Sequence, residues 1–272
     1  MQRITLLLLI VFALASAAFA DVEWLPAGGS LFPKLMADPE EVQTAGQYFR
    51  KNGQDKVDFS VGNNYGISKW FADKNQTWPL QLDISGVIIP RFTVSTLITL
   101  DDADYIVNLP LEARHGIYSA RVSLFHKSSH LGDNYIATTG RERIAYSREG
   151  VQSLFAVEPT PRIRFYGGLS QLVHTAPDVG KTTAQGGFEL RSPPLGHVQR
   201  WHTFAYLAED VQWKQEVNWS ANSNTQLGIS LGFNGNPRRF RVFLNYFDGH
   251  STYGQFYTER EHFFGTGIGF DF

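Results

Sequence analysis

The sequence contains no cysteine. Neither a disulfide nor a lipid-modified N-terminal cysteine can therefore form, so an exported chain must be held together in another way. Beyond the first 20 residues there is no apolar run near 20 residues long, and no transmembrane helix is expected. The formal net charge is only -2, which gives no reason to expect a nucleic-acid partner. Disulfide scaffolds, helical membrane proteins and nucleic-acid binders are thus disfavoured.

The N-terminus has the pattern of a secretory signal peptide. Arg3 precedes an apolar run that extends to about Leu14, and small residues follow as far as the Ala-Phe-Ala sequence that ends at Ala20. An A-x-A site of this kind predicts cleavage that leaves Asp21 as the first mature residue. The apolar run is too short, and wrongly flanked, for a retained anchor. We therefore expect residues 1–20 to be removed on export.

Aromatic residues and glycine are abundant, and they occur in segments that alternate between polar and apolar positions. Aromatics make up 14% of the chain, and there are 25 glycines. In TQLGISLGF (225–233), every second residue from Leu227 is apolar, and segments 79–88, 183–191 and 239–246 alternate in the same way. A period of two indicates β-strands. A strand that faces lipid on one side and a lumen on the other shows this pattern, although a soluble sandwich also alternates.

The C-terminal sequence FFGTGIGFDF separates these two interpretations. Phe264, Ile268, Phe270 and Phe272 fall on one face, with glycines and an acid on the other. The pattern resembles the β-signal that the outer-membrane insertion machinery reads, with Phe272 as its last residue. A nucleotide-binding loop is not expected here, because no helix follows the glycines. Together with the export signal, this ending predicts an antiparallel β-barrel in the cell outer membrane.

Loop lengths predict the number and direction of the strands, since periplasmic turns are short and external loops are longer. The final strand should run inward, preceded by a long external loop around 249–261 and, one hairpin earlier, by a short periplasmic turn at 234–237. Residues 21–50 are left as an N-terminal periplasmic segment or plug, and residues 51–272 form the barrel. Repeating the count back to the N-terminus predicts about twelve strands, near 55–64, 79–89, 92–100, 103–113, 116–128, 142–157, 162–174, 183–192, 200–213, 224–233, 238–248 and 262–272.

The residues expected to face the lumen carry both signs of charge. A barrel of this size has a narrow interior, so ion pairs should close it, although a pore stays open as an alternative. The charged residues expected to face inward are Asp83, Arg121, Glu189, Arg191, Arg239 and Arg241.

A histidine and a serine lie at the outer end of one predicted strand, in the sequence IYSARVSLFHKS (117–128). Because side chains alternate along a strand, His126 and Ser128 continue the lipid-facing set that contains Val122 and Leu124. A serine needs an adjacent base to become a nucleophile. On this face, such a pair could attack only esters that the membrane itself presents.

This outward His-x-Ser resembles the sites of the outer-membrane phospholipase A and lipid A deacylase families. The resemblance implies that His126 is the general base and Ser128 the nucleophile. In the phospholipase, an asparagine on the next strand orients the histidine, but the sequence ERIAYSRE (142–149) has no asparagine. Ser147, Glu142 or Tyr146 could take its place, as could Asp133 from the loop, and Ser147 is the candidate we assign. The alternative is that His126 and Ser128 are polar residues at the membrane interface without a catalytic role.

The residues that follow are expected to form a polar external loop with binding functions. Ser129, His130 and Asp133 would lie in that loop, and His250 would share the outer surface with them in a lipid or ligand patch. The carboxylates of Asp133 and Glu142 could hold a calcium ion near the lipid headgroups. No other cofactor is expected.

Five longer segments resemble a bacterial outer-membrane family, the domain-of-unknown-function family 1207. The resemblance spans nearly all of the mature chain and implies one barrel domain with a shared use for SSHLGD, but it implies no reaction. Three functions stay open: a lipid-ester hydrolase of the outer leaflet, a non-enzymatic structural or lipid-binding barrel, and a small-solute channel. The segments are FPKLMADPEE (Phe32–Glu41), DADYIVNLPLE (Asp102–Glu112), FHKSSHLGDNY (Phe125–Tyr135), AYSRE (Ala145–Glu149) and DGHSTYGQFY (Asp248–Tyr257).

Overall fold

The computed structural model describes residues 22–27, 29–71, 77–198, 201–233 and 238–271. The predicted signal peptide, the 234–237 turn and Phe272 lie outside the described residues. One short helix, α1 (Asp133–Thr139), accompanies the strands. The strands are β1 (Val22–Trp24), β2 (Thr44–Lys51), β3 (Gln54–Phe71), β4 (Pro79–Val94), β5 (Ile98–His115), β6 (Tyr118–Leu131), β7 (Tyr146–Thr160), β8 (Ile163–Ala176), β9 (Thr182–Arg191), β10 (Gly196–Val198), β11 (Trp201–Lys214), β12 (Ser220–Phe233), β13 (Arg239–His250) and β14 (Arg260–Asp271).

Twelve of these strands close into an antiparallel barrel. Each long strand pairs with its neighbours in the chain, β14 pairs with β2, and β3 pairs with both β2 and β4, so the circle is complete. The short strands β1 and β10 only extend the edges of β3 and β11. No helix in the described part of the chain is long and apolar enough to span a membrane. The predicted fold class, an antiparallel barrel of about 12 strands, is confirmed.

One predicted strand, 92–100, is wrong and one observed strand is not predicted, although the total is right. Segments 79–89 and 92–100 do not form two strands, because β4 runs without interruption from Pro79 to Val94 through Pro90. A proline is tolerated there because the ladder is irregular at the next residue, where a β-bulge shifts the register between Arg91 and Phe92. The strand that was not predicted is β2, which begins at Thr44 and has all but its last residue in the 21–50 segment that was predicted to precede the barrel.

The two faces of the wall differ as the alternation indicates. Outward residues of neighbouring strands form an exposed apolar surface, which includes Ile84, Ile88, Val107, Val122, Leu124, Ile229, Val242 and Leu244. Inward residues are polar and buried, and Asp83, Glu189 and Arg241 are each 2% exposed or less. The apolar surface therefore faces outward and the charges face the interior, as a membrane barrel requires and a soluble sandwich does not.

The chain segment before β2 runs through the interior of this barrel. The backbone N–H of Phe32 donates to Glu112 on β5, and that of Met36 donates to Glu189 on β9. The side-chain amide of Asn224, on β12, donates to the carbonyl of Ala37. Since these strands lie on different sides of the barrel, residues 30–43 cross its lumen. We call residues 30–43 the inner segment.

The connection between β13 and β14 also folds inward. Gly254 N–H donates to Asp104, and Gln255 N–H donates to Ser129 Oγ, so this connection reaches the far wall. It meets the inner segment at Lys127, whose Nζ lies 2.5 Å from Glu40 and 2.6 Å from the carbonyl of Thr252. The connections 132–145 and 251–259 are long and lie at one end, which is therefore the external end. We call residues 251–259 the external loop.

Candidate site on the lipid-facing surface

Strand β6 carries the predicted catalytic pair on its outer face. The strand continues to Leu131, three residues beyond the predicted end, and its residues alternate regularly between the two sides. His126 is exposed and Ser128 is half-buried on the outside, whereas Lys127 and Ser129 are buried inside. In register, the outward neighbours on β5 are Val107 beside His126 and Tyr105 beside Ser128. The pair therefore lies above an apolar surface, near the external end of the strand.

A glutamate on the next strand contacts this histidine. The register between β6 and β7 places Glu149 opposite His126 and Ser147 opposite Ser128. The Nδ1 atom of His126 lies 3.3 Å from Oε1 of Glu149, and the two side chains are 49% and 42% exposed. A carboxylate at Nδ1 fixes the ring and directs Nε2 away from the acid. Glu149 was not predicted from the sequence, because the register of β7 against β6 cannot be counted across the long 132–145 connection.

The hydroxyl of Ser128 is not in direct contact with the histidine ring. Among the described residues there is no hydrogen bond between the His126 ring and Ser128 Oγ, although both side chains emerge on the same face. Residues i and i+2 of a strand are about 6.6 Å apart along the chain, so a change of the Ser128 rotamer can bring its hydroxyl towards Nε2 while the contact of His126 with Glu149 is kept. Ser147, predicted to orient the histidine, instead faces Ser128 across the ladder.

Ser129 and His130 are in the strand and not in the predicted loop. Ser129 faces the interior, where its hydroxyl lies 3.0–3.1 Å from the Asp102 carboxylate and accepts a hydrogen bond from Gln255 N–H. His130 faces outward, with its ring edge-on to Tyr105 at a centroid distance of 5.8 Å. The two residues thus point to opposite sides of the wall, and Ser129 anchors the external loop.

Gly132 and Asp133 form the turn that ends β6. A Cβ atom on Gly132 would lie 2.0 Å from the carbonyl oxygen of Leu100, so only glycine fits there. Asp133 begins α1 and is paired with Arg143. Glu142 is exposed in the connection before β7, which begins at Tyr146 and not at residue 142. Among the residues that the structure describes, no group of three or more His, Asp or Glu side chains is arranged to hold a metal ion.

His250 does not share a patch with the end of β6. It is the last residue of β13, which is six strands away from β6 in either direction around the barrel. The rest of its segment does cross the barrel, because Gln255 of the external loop donates to the carbonyl of Ser129. The segment Asp248–Tyr257 does therefore meet the end of β6. The contact lies inside the lumen and is made by Gln255, whereas the prediction placed it on the outer surface at His250.

Comparison with known proteins supports the barrel and assigns the family. The outer membrane phospholipase A from Escherichia coli is 12% identical, with a TM-score of 0.54 over 86% of this chain and 93% of that one. The Salmonella typhi outer membrane phospholipase dimer with bound calcium is 10% identical, with a TM-score of 0.55 over 86% and 93%. A KdgM porin is 8% identical, with a TM-score of 0.46 over 85% and 99%. No curated protein matches the sequence.

At these identities the solved structures show the fold alone. That fold is an outer-membrane β-barrel, which agrees with the predicted location in the cell outer membrane. The family model described as "Protein of unknown function (DUF1207)" matches residues 11–272, almost the whole chain, and the chain therefore belongs to this family.

Proposed function

We propose that the protein hydrolyses ester bonds of lipids in the outer leaflet, with Ser128 as nucleophile, His126 as general base and Glu149 as the residue that orients the histidine. The observation that carries the proposal is the contact of 3.3 Å between His126 Nδ1 and Glu149 Oε1 on the lipid-facing surface. A serine, a histidine and a carboxylate in this order match the roles of a hydrolytic triad.

The chemistry follows from the roles of the three side chains. Ser128 Oγ attacks the carbonyl carbon of a lipid ester while its proton passes to His126 Nε2. The alcohol part of the lipid then leaves and takes that proton, so that an acyl group stays on Ser128. Water attacks this acyl ester with His126 again accepting a proton, and the fatty acid and free Ser128 are released. Glu149 stabilises the imidazolium that forms in both steps.

Ser147 has a different role in this proposal from the one predicted. Residues opposite each other on antiparallel strands have Cβ atoms about 4.5–5.5 Å apart, and Ser147 is opposite Ser128. Its hydroxyl can therefore donate to the negatively charged oxygen that develops on the attacked carbonyl. The exposed apolar residues below the pair, such as Leu124, would hold the acyl chain of the lipid.

The direct test is release of fatty acid from phospholipid or lipopolysaccharide in mixed micelles with the purified, folded protein. Ser128→Ala should abolish release, and His126→Ala should reduce it to a similar level. Ser153→Ala is a matched control, because Ser153 is another exposed, outward-facing serine on β7. If Ser128→Ala and wild type release equal amounts, the proposal is wrong and the barrel is non-enzymatic or acts through another site.

A further inference from the structure

The five segments that carry the family resemblance meet inside the barrel, away from the lipid-facing site. Lys127 lies at their centre. Its ammonium group pairs with Glu40 of the inner segment and with Asp104 on β5, at 2.5 and 2.7 Å. It also donates to the carbonyl of Thr252 in the external loop and lies over the ring of Tyr146 on β7. One residue thus touches four other segments, and the lipid-facing site explains none of these contacts.

A cavity of about 130 Å³ lies beside this cluster, between the inner segment and the wall from β3 to β11. That volume has room for on the order of ten water molecules. At its lower end, Ser30 Oγ and Phe32 N–H donate to Glu112. Its upper end reaches Gly180 and Glu216, in two connections at the external end of the barrel. The cavity therefore extends along the lumen from the level of Glu112 to connections at the external end of the barrel.

Five cations and five carboxylates line the pocket, and among the described residues one of the cations has no carboxylate within ion-pair distance. The carboxylates of Asp38 and Glu112 accept hydrogen bonds from neutral groups, namely Gln185 and Gln212 at Asp38 and Ser30 and Phe32 at Glu112. Arg121 is paired with Glu41, Lys127 and Lys214 with Glu40, and Arg148 with Glu216. Lys34, from the inner segment, also lines the pocket. Its ammonium nitrogen is buried and has no hydrogen-bond or ion-pair partner within the described part of the chain. A buried cation without a counter-charge is costly, so Lys34 marks a position where an anion would be stabilised.

The other polar atoms without partners indicate what kind of anion fits. Buried Nε atoms of Arg121 and Arg148 have no acceptor, and the buried Oδ1 of Asn64 has no donor. All three residues line the pocket. A ligand that satisfies them needs an anionic group, further acceptor oxygens and at least one hydroxyl donor. The remaining wall is rich in neutral amides and hydroxyls, namely Ser85, Asn108, Ser123, Gln152, Ser170 and Thr183.

We propose that this pocket binds a small polyhydroxylated carboxylate, such as a sugar acid, that enters from the external side and places its carboxylate at Lys34. The size of the cavity suits a single monosaccharide unit. Ligand pockets commonly combine a shaped cavity with a few converging polar groups. Ionisable side chains buried within membrane proteins commonly mark functional sites. The pocket lies on the opposite side of the barrel wall from His126 and Ser128, so the two proposals are independent.

The test is isothermal titration of the full, folded protein in detergent micelles with sodium glucuronate. Glucose is the matched neutral probe, because it has a hydroxymethyl group in place of the carboxylate. Glucuronate should bind at least about tenfold more tightly than glucose. Lys34→Met should weaken glucuronate binding at least about tenfold, whereas Lys181→Met, which removes an exposed lysine, should change it less than twofold.

A second variant keeps the test decisive if Lys34→Met does not fold, which heat-modifiable migration on gels would reveal. Ser170→Phe leaves Lys34 in place and fills the pocket from the wall of β8, and it should abolish glucuronate binding. Equal binding of glucuronate and glucose would overturn the proposal, as would unchanged binding in either pocket variant. Inorganic phosphate that binds as tightly as glucuronate would also overturn it, because the hydroxyl groups would then have no role.

Discussion

The ion-pair network around Arg91 gives a quantitative test of how the external end of the barrel is held together. The Arg91 guanidinium binds Asp58 through Nε and Nη2 at 2.8 and 2.9 Å, and binds both oxygens of Glu261 through Nη1 at 2.9 Å. The ring of Tyr253, from the external loop, lies 4.1 Å from the guanidinium. Lys51 is a second cation at Glu261, at 2.8 Å. Arg91 thus links three strands to the loop that covers the lumen.

We expect Arg91→Met to be strongly destabilising because it leaves a buried carboxylate without a cation. The side chains of Arg91 and Asp58 are only 5% and 8% exposed. Removing one partner of such a pair costs about 3–5 kcal/mol. The matched control is Arg260→Met, whose partner Asp248 lies at 3.0 Å but with side chains 61% and 45% exposed. A surface pair of this kind contributes about 0–1 kcal/mol.

Urea unfolding in micelles, followed by the fluorescence of the 6 tryptophans, measures both variants. With a slope of about 1–3 kcal/mol per molar urea, Arg91→Met should lower the midpoint by about 1 M or more, and Arg260→Met by much less. Adding Asp58→Asn to Arg91→Met should recover part of the loss, since the stranded charge is then gone. Equal losses for the two arginine variants, or no recovery in the double variant, would refute the reasoning.

Three further predictions concern the site and the lumen. Glu149→Gln should lower the rate of lipid-ester hydrolysis by about 10- to 100-fold. This loss is smaller than the ~10⁴-fold effect of a buried triad acid because the Glu149 pair is half-exposed, and an unchanged rate would exclude an orienting role. Lys127→Met should raise conductance in planar bilayers above that of the wild type, because Lys127 holds both Glu40 and Thr252 in the lumen. Equal conductance would show that Lys127 does not keep the lumen closed. Burial alone would raise the pKa of Glu40, but Lys127 and Lys214 hold it at about 2, below its ordinary 4.5. Its stabilisation is therefore complete above about pH 4.5 and is lost as the pH falls towards 2, so the difference in thermal midpoint between wild type and Glu40→Gln should shrink from pH 5 to pH 3.

The pair His126 and Ser128 shows which features of a site can be predicted from alternation along a single strand. Alternation along β6 is enough to place His126 and Ser128 on the same outer face, because side-chain direction is a local property of a strand. The partner of His126 is not local. Glu149 is set by the pairing of β6 with β7, and fourteen residues of turn and helix between those strands prevent its register from being counted from the sequence.

What the sequence by itself determined was the class of fold, since periodicity, composition and the absence of a long apolar run are visible without pairing. It also placed charges of both signs on the interior face. Only the tertiary structure decided what fills that interior. The inner segment has no regular period, and its contacts with Glu112, Glu189 and Asn224 come from three strands far apart in the chain. Barrel closure brings such residues together, and the ammonium group of Lys34 can be recognised as unpartnered only from its surroundings in the lumen.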